Sequence, residues 1–166
     1  ALPMLLKGIA KVFIQHMDET GYKYEYLMGS VSISNIFSPA SKMAIMQFLN
    51  TYHRHPKRLA TGRTPPPFVS PLTEDEWNFL FKVHGIDAAD SFKELNKLIQ
   101  ELQNNPDLDA PPLLRIYATM NVQYITFNSD IKFKTDDGFI QVHMPVQPLE
   151  DLEMYFEPDD ARRMKE

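Results

Sequence analysis

The stretch LLRIYATMNVQYITFNSDIKFKTDDGFIQVHMP, residues 113–145, is the part of the chain whose reading decides the fold. It is rich in β-branched and aromatic residues, which favour a pleated and half-buried surface. It also contains Asp137-Gly138, a dipeptide suited to the positive φ angles of a tight hairpin turn. Read with that turn, residues 131–134 pair with 139–143, and the whole segment becomes a source of antiparallel strands. Upstream, KVFIQHMDETGYKYEYLM (11–28) alternates Val12, Ile14 and His16, then Tyr22, Tyr24 and Tyr26, on either side of Asp18–Gly21. Period-two alternation around a Gly-containing loop predicts a second hairpin. GSVSISNIF (29–37) reads as a further strand with Val31 and Ile33 on one face, while residues 2–10 are compatible with a short opening helix.

Between these β regions lie helices. In SPASKMAIMQFLNTYHR (38–54), Ser38 is placed as N-cap and Pro39 at the first helical position. Ile45, Phe48, Leu49 and Tyr52 then follow the spacing of one buried face, and Pro56 ends the helix. Thr73-Glu-Asp-Glu76 is a capping box, followed by Trp77, Leu80, Phe81 and His84 on one side and Gly85 as a stop. A third helix carries Phe92, Leu95, Leu98, Ile99 and Leu102 and ends at Asn104-Asn-Pro106. PLEDLEMYFEPDDARRMKE (148–166) closes the chain as an acidic tail to which the pattern assigns no element. Strands, then helices, then strands predict an α+β fold. The expectation is a single domain over 1–166, with a mainly antiparallel sheet (an N-terminal hairpin plus C-terminal strands) and about three helices packed on one face.

The composition is that of a globular protein, with 43% apolar and 23% charged residues over 166 positions. The chain contains no Cys, which excludes disulfides and thiolate chemistry and fits a reducing compartment. No apolar run approaches the roughly 18 residues of a membrane span. Lys7 and Lys11 interrupt the apolar opening ALPMLLKGIAKVF, which lacks the organisation of a signal peptide. The expectation is an intracellular, cytoplasmic protein, with a peripheral position at a membrane compatible with it. Net charge is −5, against a general nucleic-acid binder. The distribution is uneven, however. From Tyr26 to Thr73 there is no Asp or Glu, and Lys42, Arg54, Lys57, Arg58 and Arg63 give +5, whereas residues 74–166 carry −10.

The centre of that acid-free span is YHRHPKRLATGRTPPPFVSP, residues 52–71. Within it, residues 56–72 read as a long proline-rich basic loop. It is longer than most connections, and such loops are commonly functional. Arg54, Lys57, Arg58 and Arg63 are close enough in sequence to form one basic patch. Beside an anionic bilayer each contributes about 1 kcal/mol, screened over a Debye length. Alternatively they pair with the chain's own acids, such as Glu150, Asp151 and Glu153. Pro65, Pro66, Pro67 and Phe68 form a polyproline II docking segment suited to an aromatic groove. It resembles the Pro-Pro-x-Tyr motifs by which viral matrix proteins recruit WW domains, with Phe68 in place of Tyr. Tyr24-Glu-Tyr-Leu27 resembles a Tyr-x-x-Leu sorting pattern.

Catalytic and metal chemistry find less support. His53 and His55 would need further ligands, and His16, His84 and His143 fall on separate elements. No Gly-x-Ser-x-Gly elbow accompanies Ser30, Ser32, Ser34, Ser38 and Ser41, and the six glycines form no phosphate loop. Pro106-Asp107 with Asp130-Ile131-Lys132 resembles the PD-(D/E)xK nuclease signature. That resemblance implies Asp107 and Asp130 as Mg²⁺ ligands and Lys132 as the catalytic lysine. Tyr22, Tyr24 and Tyr26 could stack bases, but Lys23 and Glu25 on the alternate side predict that the tyrosines form the core wall of the sheet instead.

The resulting expectation is a non-enzymatic assembly or interaction protein, viral-matrix-like, with no metal and no cofactor. It contacts a protein partner or an anionic surface through the basic proline-rich loop, and a homo-oligomer is compatible with this. A nucleic-acid-binding protein using the same patch is the alternative, and a metal-dependent nuclease the third reading.

Overall fold

The computed structural model describes residues 2–64, 70 and 72–165. Its sheet has three antiparallel strands, β1 (Tyr26–Ile33), β2 (Gln123–Asp130) and β3 (Thr135–His143), in the order β1-β3-β2. The register places Leu27, Val31 and Ile33 of β1, Asp136, Ile140 and Val142 of β3, and Tyr124 and Ser129 of β2 on one face. All of these but Leu27 are buried, and Leu27 packs against the core from its margin. The opposite face of β1 is exposed at Tyr26, Met28, Ser30 and Ser32.

Seven α-helices, against the expected three or so, fall among the described residues, and the fold is α+β as predicted. Helix α2 (Pro39–Tyr52) is capped as expected: Ser38 Oγ accepts the Ser41 N–H, with Pro39 at the first position. Its Ile45, Phe48 and Leu49 pack in one cluster with Leu95, Leu98 and Ile99 of α4 (Phe92–Gln103), and the Phe48 ring meets Phe92 edge-on at 5.0 Å. Between them in sequence, α3 (Glu74–Val83) begins with the predicted Thr73–Glu76 capping box.

Several sequence expectations are corrected. The N-terminal hairpin does not form: residues 2–20 are one helix, α1 (Leu2–Thr20). The alternation of Val12, Ile14 and His16 coexists with a helical stripe of Leu6, Ala10, Phe13, Ile14 and Met17, and tertiary packing selects the latter. Ala10 and Ile14 are buried, and Val12 is exposed. Gly21, read as part of a hairpin loop, is the helix C-cap, with φ +72° and its N–H donated to the Met17 carbonyl at 2.8 Å. The tyrosines are not a core wall either. Tyr22 and Tyr26 are exposed, Tyr24 stacks on Phe13 at 4.8 Å, and Tyr26 stacks on His143 at 4.5 Å.

The C-terminal hairpin exists, but its turn lies elsewhere. Asp137 and Gly138 are within β3, and residues 131–134 make the turn, with Lys134 at φ +56°. Gly138 serves close packing: a Cβ there would lie 2.8 Å from the Tyr124 ring. The expected β-rich run also opens with a helix, α5 (Pro112–Thr119), ended by Asn121 in the left-handed region. The acidic tail is folded as α6 (Leu149–Glu153) and α7 (Pro158–Lys165). These and the turn between them bury Leu152, Phe156, Ala161 and Met164. Helix α7 packs on α1; Arg163 meets Asp18 there, and Lys7 meets Glu157, just before α7, at 2.8 Å.

One polar contact lies inside the core. Lys42 of α2 reaches the sheet and donates to Asp136 Oδ2 at 2.7 Å, while Ser129 donates to Oδ1 of the same carboxylate. Lys42 and Asp136 are 9% and 4% exposed, so removing either partner strands a buried charge. Lys42→Met should cost about 3–5 kcal/mol in denaturant unfolding, and adding Asp136→Val should recover most of that loss.

Candidate functional site

The basic segment begins where α2 ends. His53 donates its backbone N–H to Leu49 and is itself buried, its Nε2 lying 2.9 Å from the Ala89 carbonyl beside the Phe48 and Phe92 rings. The backbone then meets the outer edge of β2. Tyr124 donates its N–H to the His53 carbonyl at 2.7 Å, and His55 donates to the Tyr124 carbonyl at 2.9 Å, which forms a parallel bridge at Arg54. Residues 56–61 leave the edge and are all exposed. The chain returns at Gly62, whose N–H reaches Thr126 Oγ1 at 3.1 Å. Thr64 then donates to Asn128 Oδ1 at 2.8 Å and accepts the Ser129 N–H at 2.7 Å. The segment is thus attached at both ends to an edge strand that would otherwise present unpaired groups.

Gly62 makes the second attachment possible. A Cβ there would run into the Phe127 carbonyl oxygen, a contact that only glycine avoids. Gly62→Ala should cost about 1–3 kcal/mol and raise hydrogen exchange at the Ser129 amide, which loses its acceptor when residues 62–64 lift away.

All four predicted cations, Arg54, Lys57, Arg58 and Arg63, are exposed. Arg54 is level with Tyr124, and Arg63 lies between the attachments at Thr126 and Asn128. The two are therefore separated by about 10 Å along the edge, with Lys57 and Arg58 on the bulge between them. Arg54 and Arg58 share a shallow hollow of about 260 Å³ with Ile125–Phe127. Arg58 donates to Thr61 Oγ1 at 3.2 Å. Among the described residues none of the four forms an ion pair. Glu153, one of the acids that could have neutralised them, lies 3.7 Å from Arg162 instead. Pro65, Pro66, Pro67 and Phe68 lie outside the described residues, as does the polyproline II expectation for them.

The other candidate chemistry is dispersed. His55 turns Nδ1 to the Lys57 backbone, and His53 has its ring nitrogen on Ala89. Among the described residues no group of three or more His, Asp or Glu is placed to hold a metal. Asp107 is exposed in the turn after α4, its N–H on Asn105 Oδ1. Asp130, the other acid of the nuclease-like pattern, accepts the N–H groups of Lys132 at 2.9 Å and Phe133 at 3.0 Å, which is a turn-capping role.

That turn holds what the sequence reading misses. Ile131 and Phe133 are 77% and 70% exposed, alternating with the exposed Lys132 and Lys134. The order Ile-Lys-Phe-Lys imitates a strand, and the preceding Asp130 is the one signal of a turn. Elsewhere on the surface, an apolar trough of about 630 Å³ runs between α1 and β1, with Met4, Ile9, Val12, Phe13 and Met28 on its walls. No protein family, curated protein or solved structure matches the chain.

His53 gives the segment a pH dependence. Burial holds its pKa below the ordinary value of 6.5, opposed in part by the bond to Ala89. The unfolded chain therefore takes up a proton near pH 6.5 while the folded one remains neutral. Stability should fall as pH drops from 6.5 through the lower folded pKa, and His53→Gln should flatten that part of a stability–pH curve measured by urea unfolding.

Proposed function

We infer that the chain is a non-enzymatic binding protein of the assembly or scaffold kind, which meets an anionic surface through Arg54, Lys57, Arg58 and Arg63. One observation carries this reading. The four cations are exposed on the segment attached to one sheet edge and, among the described residues, outside any ion pair, within a chain of net charge −5. Like charges held near one another repel, and an external anion relieves that repulsion. The segment's attachments to β2 are made by its backbone and by Gly62, so the charged side chains are available for contact. Pro65–Phe68, which continue the segment, would add a docking element for a protein partner.

Replacing Arg54, Lys57, Arg58 and Arg63 together with Ser should change unfolding stability by no more than about 1 kcal/mol. It should lower binding to anionic vesicles at least about a hundredfold. Wild-type binding should weaken steeply with added salt. Loss of stability without any binding in either form would make the segment a structural element. Binding of oligonucleotides in place of vesicles, with the same salt and charge dependence, would favour the nucleic-acid reading.

A further inference from the structure

We propose that the β2–β3 hairpin tip, residues 131–134, is a lipid-inserting element that seats Ile131 and Phe133 among the acyl chains of an anionic bilayer. The proposal rests on the reading of the basic segment as a contact for an anionic surface, and it commits that surface to being a membrane. Two large apolar side chains project from the end of the sheet at 77% and 70% exposure. Neither belongs to the core cluster or packs against it, so the fold gains little from their being apolar. A turn that faces only water would be expected to carry polar residues at both positions.

The charges around the tip complement an anionic headgroup layer. Lys132 and Lys134 alternate with the two apolar residues, and their long stems allow the ammonium groups to remain at headgroup level while the tip enters. Lys132 Nζ already lies 5.8 Å from the centre of the Phe133 ring. The neighbouring acids are already engaged. Asp130 faces the turn amides, Asp136 is buried against Lys42, and Asp137 accepts from Thr135 Oγ1. Arg63 is delivered to the same end of β2, because Thr64 bonds Asn128 and Ser129, the residues just before the turn. The tip is also preorganised, since Asp130 accepts two successive amides and fixes the loop before contact. Apolar area and basic charge are the two quantities on which interfacial membrane binding depends. Nucleic acid would use the cations but would leave Ile131 in water.

The test uses the full chain with a Phe133→Trp substitution, which places an indole at the tip. The natural tryptophan, Trp77, is 4% exposed and donates Nε1–H to Ser70, so it supplies a constant background. On vesicles of phosphatidylcholine mixed with phosphatidylserine, emission from the introduced indole should shift to the blue and be quenched by brominated acyl chains. Phosphatidylcholine alone should give neither effect. Ile131→Ser with Phe133→Ser should leave the melting temperature unchanged and reduce vesicle partitioning about tenfold or more. The remaining binding should be weak and salt-sensitive. If vesicles bind while the emission of the F133W variant stays unshifted and unquenched, insertion is overturned and the basic-segment reading survives. If vesicles do not bind at all, the insertion proposal and the bilayer version of the function both fail.

Discussion

A carboxylate buried in a sheet must be neutralised, and the position of α2 follows from that requirement. Asp136 sits in the central strand, and the cation that reaches it is Lys42, one turn into α2. Ser129 of the neighbouring strand takes the second carboxylate oxygen, so one group ties a helix to both strands of the hairpin. A hydrophobic contact could slide by part of a turn at modest cost, whereas this pair tolerates little displacement. With α2 fixed across the sheet, its C-terminus arrives at the outer edge of β2, and the residues after it join that edge.

The charged segment is therefore an accessory to the sheet as well as a surface. Its backbone pairs with β2 at Tyr124 and Ser129, while its charged side chains, which the attachments do not use, face solvent. The same division holds at the hairpin tip, where Asp130 and the backbone make the turn and the apolar side chains are left free. Exposed side chains that the attachments do not use can change without loss of the fold.

The helices with explicit start signals are legible in the sequence. Ser38-Pro39 and Thr73–Glu76 act through local hydrogen bonds that need no tertiary partner. Misreadings arise where one pattern serves two periods. Leu6, Ala10, Phe13 and Ile14 satisfy a helix as well as Val12, Ile14 and His16 satisfy a strand, and the long-range packing of α1, including its contact with α7, decides between them. Asp137-Gly138 misleads for a related reason: glycine is required by two aromatic rings lying over β3, a long-range fact with no local trace. The concentration of the four cations in one stretch is legible, because charge segregation is visible in one dimension, and all four are exposed. Where the acids of the tail find their partners is not, since the meeting of Glu153 with Arg162 depends on how α6 and α7 fold together.

The two edges of the sheet are treated differently, and this has a consequence for growth. The β2 edge is partly covered by the chain's own residues, which pair with the backbone of Tyr124 and Ser129 and with the side chains of Thr126 and Asn128. Among the described residues no backbone group other than those of β3 pairs with β1 from Tyr26 to Ile33. That strand also carries no charge and no proline to discourage pairing. A sheet open on both sides can add neighbours without limit, whereas one open on a single side is exhausted by its first addition. A copy that added a strand to β1 would therefore leave little free edge for further growth, which favours a pair over a filament.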